Sequence, residues 1–368
     1  MTIKDLLKLR LHNQQITQHV FDTPGDVVKW FGAMQAQDYL NSLWAIGLRL
    51  NNATEDTIET AIADKTIVRT WPMRGTLHFV VPEDVRWMLK LLTPRIIARA
   101  ATNYRNEGLD EKTFKKSRKV FEKVLQGKQL TRLQLYEALQ QNKISTTGIR
   151  GLHIIGKLAQ EGLICIATRQ GKQHTFSLLD EWIPNSKTLA QEESLAELAK
   201  RYFTSHAPAT IQDFSWWSGL TLTESKKAIE MGSSYFQKEV IDDVAYYMPK
   251  DIPAVKTKSQ SVFLLPNFDE YLVAYKDRSA ALDTKYNKDV IGASGNGIFS
   301  AVIIIDAKVA GTWKRTLQKE KVGVNINSFM PLTERQKSSI NKTVRHYGKF
   351  LNIKATVELN NLTTHYKT

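Results

Sequence analysis

An α+β fold, with three tandem winged-helix modules ahead of a C-terminal β-rich domain, is the architecture this sequence predicts. Three observations carry it. Helical spacing and short β-rich pairs follow one another in a fixed order, three helices and then two strands, three times over residues 24–248. After Pro253 the helical spacing gives way to β-rich runs and glycine turn signals. The chain, at 368 residues, is also longer than one core of ordinary size organises.

In the first module Val27, Val28, Phe31 and Met34 recur at helical spacing, and Leu43, Trp44, Ile46, Leu48 and Leu50 form a second apolar segment. Thr54 reads as the N-cap of a third helix with Ile58, Ala61 and Ile62 on its buried face. The β-rich runs Ile67–Trp71 and Thr76–Val81 follow, joined by Pro72-Met73-Arg74-Gly75. Three helices and then a hairpin is the order of a winged helix. The second copy has a helix over Phe114–Leu125, and a helix capped by Thr131 with Leu133, Leu135, Tyr136 and Leu139 inside. A third helix over Thr147–Glu161 is closed by Gly162, before strands Leu163–Thr168 and His174–Leu179 around the turn Arg169–Gln173. The third copy is fainter: helices near Leu189–Phe203, Thr210–Trp217 and Thr223–Met231, then strands Phe236–Val240 and Val244–Met248. Beyond it Val262–Leu265, Ile298–Ile305 and Ala355–Leu359 are β-rich, with turn signals at Asn296-Gly297 and Ala310-Gly311. The expected divisions are 1–95, a winged helix; 96–184, basic linker helices and a second winged helix; 185–253, a third; and 254–368, the β-rich domain.

Lys and Arg number 51 against 37 Asp and Glu, a net charge of +14 that points to a polyanionic partner. The single cysteine, Cys165, reads as a strand core residue and excludes an internal disulfide and Cys-based clusters. The eight histidines are scattered, so no metal site and no cofactor is expected. Met1–Arg10 lacks an apolar signal core and no stretch reaches the length of a membrane span, so a cytoplasmic location without membrane contact is expected.

Gly151-Leu-His-Ile-Ile-Gly156-Lys157 has phosphate-loop spacing, but Leu158 stands where Ser or Thr must hold magnesium, and the segment reads as helical. A basic run carries Arg86, Lys90, Arg95, Arg99, Arg105, Lys112, Lys115, Lys116, Arg118, Lys119 and Lys123 against Glu107, Asp110, Glu111 and Glu122. Either it lines a phosphate backbone or it is a solvated helix face. The third helix of the first module is acidic (Glu55, Asp56, Glu59, Asp64), which argues against ordinary major-groove reading there. In the second module Arg150, His153 and Lys157 are compatible with DNA contact. In Met34-Gln35-Ala36-Gln37-Asp38-Tyr39 two amides at a helix end can reach one small species, or else cap the helix and satisfy backbone.

Gln35-Ala36-Gln37, followed by Trp71-Pro72-Met73-Arg74-Gly75-Thr76-Leu77-His78, resembles the AlkZ/YcaQ-type tandem winged-helix DNA glycosylases. Further matches are His206-Ala207-Pro208-Ala209-Thr210 with Asp213 and Trp217, Leu265-Pro266 with Phe268-Asp269-Glu270-Tyr271, Asp277-Arg278, and Gly311 with Trp313. The resemblance implies a channel for DNA and excision of N-alkylated purines, in some members from interstrand crosslinks. It implies catalytic roles for Gln35 and Gln37 as the Gln-x-Gln form of the motif. Asp38, His78 and Arg74 are candidate lining residues, and Arg95, Arg99, Arg105, Lys115, Lys116, Arg150 and Lys157 candidate DNA contacts. Asp269, Glu270, Asp277 and Arg278 are expected to form an internal ion-pair network, and Trp216 and Trp217 to be core. The expected function is that of a monofunctional glycosylase, a monomer acting on double-stranded DNA that contains alkylated bases. The alternative is a non-catalytic winged-helix DNA-binding regulator, and a basic scaffold protein is a third reading.

Overall fold

The computed structural model describes residues 1–251, 261–292 and 297–361. It is a mixed helix-and-sheet chain, and no described helix is long and apolar enough to cross a membrane. The first unit runs α1 (Ile3–Asn13), α2 (Pro24–Phe31), β1 (Met34–Gln35), α3 (Tyr39–Gly47), α4 (Glu55–Ala63), β2 (Val68–Met73) and β3 (Thr76–Val80). Thr54 caps α4 through a capping box with Thr57, as its position before an apolar face requires. Arg74 and Gly75 both have positive φ (54° and 77°) and close β2 onto β3 through the Met73–Thr76 pair, a two-residue hairpin loop.

Met34 does not extend the first helix. Gly32 at φ 78° ends α2, and Met34-Gln35 leaves it as β1, which pairs antiparallel with β3 (Met34 with Phe79, Gln35 with His78). The Gln-x-Gln segment therefore starts on a sheet edge rather than a helix end.

The second unit runs α5 (Val85–Asn106), α6 (Glu111–Leu125), β4 (Leu130–Thr131), α7 (Arg132–Gln141), α8 (Arg150–Gln160), β5 (Ile164–Gln170), β6 (Gln173–Leu178) and α9 (Leu179–Trp182). Gly162, at φ 76°, stops the chain after α8 as expected. The segment with phosphate-loop spacing lies within α8, and Cys165 is buried in β5. Leu133, placed inside by its spacing, is instead 55% exposed on α7. The third unit runs α10 (Gln191–Ser205), α11 (Ile211–Ser218), α12 (Leu222–Met231), β7 (Phe236–Ile241) and β8 (Val244–Pro249). The C-terminal part runs β9 (Val262–Leu265), α13 (Glu270–Val273), α14 (Asn287–Ile291), β10 (Val302–Ile305), β11 (Lys308–Leu317), β12 (Lys321–Ser328), α15 (Glu334–Phe350) and β13 (Lys354–Asn361). Pro253 and Asn296, read above as boundary and turn signals, lie outside the described residues.

Among the described residues the strands form three sheets, ordered β1-β3-β2-β5-β6-β4, β13-β12-β11-β10-β9 and β7-β8. The first and second hairpins thus join into one sheet, through Arg69 opposite Ile166. The cores also cross the units. One packs Phe31, Leu43, Trp44 and Ile46 against Leu264, Ile303, Tyr347 and Phe350 of the C-terminal part. A second packs Val68 and Val80 against Trp87, Tyr202, Phe203 and Trp217, and a third holds Phe121, Leu139, Ile154 and Leu158.

Ala310-Gly311 is not a turn: it lies within β11, where a Cβ on Gly311 would stand 2.3 Å from the Asn327 carbonyl oxygen of β12. The glycine is there because two backbones approach too closely for a side chain. Gly311→Ala is therefore expected to lower the melting temperature by several degrees, on the scale of about 1–3 kcal/mol for overpacking. Gly323→Ala on β12, where an added Cβ meets atoms only at 4.0 Å, is the control expected to change it little. Thermal melts of the two variants check this, and equal melting temperatures would contradict it.

Candidate functional site

Gln35 ends β1 and Gln37 sits at the bend between β1 and α3, and both side chains reach the β2–β3 hairpin. Gln35 is nearly buried and Gln37 is exposed. The Gln35 Oε1 accepts from Thr76 Oγ1 at 3.3 Å and Arg74 Nη2 at 3.5 Å. The Gln37 Oε1 accepts from the Leu77 N–H at 3.2 Å. Among the described residues neither Nε2 has a protein partner, so both amides still offer donors, and each oxygen is anchored to the β2–β3 hairpin. The backbone between them is also tied down. The Ala36 N–H donates to the Leu77 carbonyl at 2.8 Å, and the Ala36 carbonyl accepts from Arg69 Nε and Nη2 at 3.0 and 2.8 Å.

His78 is fully buried opposite Gln35, with Nδ1 3.0 Å from the Thr76 carbonyl and Nε2 3.5 Å from Arg74 Nη2. Burial, and then the Arg74 charge, push its pKa down to about 3, so the ring is neutral at physiological pH. It is therefore a weak source of protons for a leaving group. Arg74 reaches across to the third unit, donating to the Trp217 carbonyl at 2.6 Å. Asp38 caps α3, its two oxygens accepting from the Asn41 N–H and Nδ2 at 3.3 and 2.7 Å. Gln35, Gln37, Asp38, Arg74 and His78 are thus brought together.

The acidic residues near the C-terminal part do not form the single network that their spacing suggested. They divide, because each finds a separate partner in a different element. Asp269 takes Arg49 in a buried bidentate pair, 2.9 Å to each oxygen. Glu270 turns toward the motif, where its Oε1 accepts the Gln35 N–H at 2.7 Å. Its Oε2 accepts from Trp217 Nε1 at 3.1 Å and lies 3.4 Å from His206 Nε2. Burial raises the Glu270 pKa, but the His206 and Gln35 hydrogen bonds outweigh it and leave the carboxyl below its ordinary value. Asp277 closes a local turn at the Ser279 N–H, and Arg278 lies over the Trp216 and Phe299 rings. Trp217 is core, but Trp216 is 43% exposed, since its indole sits beside Arg278 with Nε1 bonded to the Val273 carbonyl. Nothing in the spacing of Glu270, His206 and Trp217 indicates that the last two hold the carboxylate that takes the Gln35 N–H.

The basic candidates separate by surroundings. Arg99, Arg105, Lys115 and Lys116 are exposed on α5 and α6. Arg150 donates to the Ser145 carbonyl. Arg95 is engaged with Glu224 (Nη1 to Oε2, 2.8 Å) and Gly219, joining the second and third units. Lys157 is 5% exposed, paired with Glu111 and Glu161 and placed over the Phe114 ring, so a phosphate does not reach it without rearrangement.

Comparisons with known proteins bear on the fold and the family. The curated interstrand DNA cross-link repair glycosylase of Streptomyces sahachiroi is 23% identical over 321 residues, 83% of this chain and 85% of that protein. The solved structure of the Streptomyces sahachiroi DNA glycosylase AlkZ superposes with a TM-score of 0.81 at 20% identity, covering 98% of this chain and 99% of that one, and so shares its fold. The family described as DNA glycosylase AlkZ-like matches residues 28–350, nearly the whole chain, and the chain belongs to that family.

Proposed function

We propose that this protein is a monofunctional DNA glycosylase that excises cationic N-alkylated purines from double-stranded DNA, interstrand crosslinks included, with a water held by Gln35 and Gln37. The observation that carries the reading is the pair of amides two residues apart, both anchored by their oxygens to the same hairpin and each with an unspent donor. An amide is too weak a base to ionise water at neutral pH. Two of them can hold and orient a water at the anomeric carbon, the Gln37 oxygen accepting a hydrogen bond from it with its second lone pair, and the proton that the water loses once it has added to the sugar passes to solvent. That suffices when the leaving purine already carries a positive charge, because its glycosidic bond breaks toward an oxocarbenium-like sugar without an acid. The neutral His78 fits this chemistry, since no proton needs to be delivered.

In this reading the three helix-and-hairpin units, 1–95, 96–184 and 185–253, are winged helices, followed by the β-rich domain 254–368. Arg99, Arg105, Lys115 and Lys116 lie along the DNA backbone, the acidic face of α4 keeps the first unit out of the major groove, and Arg95 and Lys157 serve structure. Asp38 caps α3 rather than acting on the substrate.

Gln37→Ala and Gln35→Ala are each expected to slow release of N7-methylguanine by roughly 10²-fold, the scale of losing one well-placed polar group, with DNA affinity nearly unchanged. The double variant falls little further if both amides hold one water. Single-turnover release of free base from duplex DNA checks this; rapid excision of uracil, or full activity in the double variant, would overturn the mechanism. DNA affinity is expected to fall steeply with salt. Lys115→Ala and Lys116→Ala each reduce the slope of log affinity against log salt by about 1. Lys157→Ala is expected to lower the melting temperature and leave that slope unchanged. Binding isotherms over a salt series decide, and a slope insensitive to Lys115 and Lys116 would move the DNA path elsewhere.

A further inference from the structure

We propose that Glu270 is a positioning residue for Gln35, fixing the main chain of the motif strand so that the Gln35 amide faces the reacting sugar. The proposal rests on the reading of Gln35 as a water-holding side chain. β1 is two residues long and lies at the edge of its sheet. A strand that short and that peripheral is poorly held by its ladder alone. Beside it the Ala36 N–H is used inward, on Leu77, while the Gln35 N–H is taken by Glu270, 235 residues further along the chain. An ionised acceptor makes a shorter and stiffer bond than a neutral carbonyl, and this one is 2.7 Å long.

The carboxylate is itself immobilised. Trp217 and His206 hold its other oxygen, and the His206 ring stacks on Tyr202 at 4.7 Å and 14°. The His206 carbonyl accepts from the Tyr275 hydroxyl at 2.7 Å. From the other direction, the turn before α13 is fixed at three points. Phe268 occupies the left-handed region at φ 60°, Asn267 accepts from Asn41 at 3.3 Å, and Asp269 is locked to Arg49. A non-glycine residue held at positive φ persists where its surroundings demand it. Here the result is a carboxylate oxygen aimed at one backbone N–H, that of the residue proposed to hold the water. A misplacement of about 1 Å at such a residue costs on the order of 10²-fold in rate. Glu270 acts through Gln35 and does not touch the substrate.

The test compares Glu270→Gln, Glu270→Asp and Glu270→Met, alone and combined with Gln35→Ala, by single-turnover base release, DNA affinity and melting temperature. Glu270→Gln keeps an acceptor at the same reach and is expected to stay within about tenfold of wild type. Glu270→Asp keeps the charge but withdraws the oxygens by one methylene, and Glu270→Met removes the acceptor. Both are expected to lose about 10²-fold with unchanged DNA affinity. In the Gln35→Ala background all three have little further effect. Should Glu270→Met not fold, the Gln and Asp variants decide by themselves. Full activity of Glu270→Asp with loss in Glu270→Gln would overturn the proposal, since charge and not position would then matter. Losses that multiply with Gln35→Ala would overturn it too. If Gln35→Ala itself leaves excision intact, it is the reading of Gln35 that fails. If Gln35→Ala slows excision and no Glu270 variant does, only the present proposal fails.

Discussion

Two adjacent carboxylates, Asp269 and Glu270, are buried side by side, and the arrangement of the site follows from the need to keep them satisfied. An unpaired charge in that position is costly, and removal of one partner from a buried pair typically costs about 3–5 kcal/mol. Each carboxylate therefore draws donors from distant parts of the chain. Arg49 comes from the end of α3, the Gln35 N–H from β1, Trp217 from α11 and His206 from the end of α10. The first unit, the third unit and the C-terminal part meet at this point. α1 reinforces it, with Arg10 and Asn13 bonded to the Pro208 and Ala207 carbonyls and Gln14 to Tyr275. A motif on an edge strand becomes a fixed surface because three units close on it.

The chemistry that this surface offers is mild. Amide side chains, a neutral imidazole and a guanidinium engaged with backbone carbonyls provide donors and acceptors but no strong base. Such a set suits a reaction whose difficult step, departure of the base, is already activated by the lesion. The site then supplies placement rather than proton transfer. Arg74 places a positive charge close to Gln35, and the buried Glu270 carboxylate, bonded to the Gln35 N–H, stands as its counterweight at the site of the proposed sugar cation.

What was legible in the sequence was local. Threonines before apolar periodic faces marked the starts of helices, and Thr54, Thr131 and Thr210 do cap them. Glycines at positive φ, such as Gly162, marked ends. The errors arose where a distant partner decides. Met34 continues a helical period, but the pairing with Phe79, 45 residues on, pulls it into a strand. Gly311 looks like a turn residue and instead lies within β11, where a Cβ would collide with the Asn327 carbonyl oxygen of β12. The fate of Glu270 depends on packing between units far apart in sequence, which no spacing rule encodes. Lys157 has the charge and helix position of a DNA contact, but Phe114, Glu111 and Glu161, from α6 and the end of α8, enclose it. Gln35 and Gln37 stood out through the family resemblance more than through any local signal.

The central claim is that Gln35 and Gln37 hold the attacking water against a sugar that is becoming cationic. It is tested most directly by a crystal structure of the protein bound to duplex DNA carrying a cationic azasugar in place of the reacting nucleotide. The account predicts one ordered water between the two amides, about 3–3.5 Å from the position of the anomeric carbon. The Gln35 N–H should remain on Glu270. An azasugar bound away from β1, or a water positioned by other side chains with the two amides turned into the protein, would contradict it.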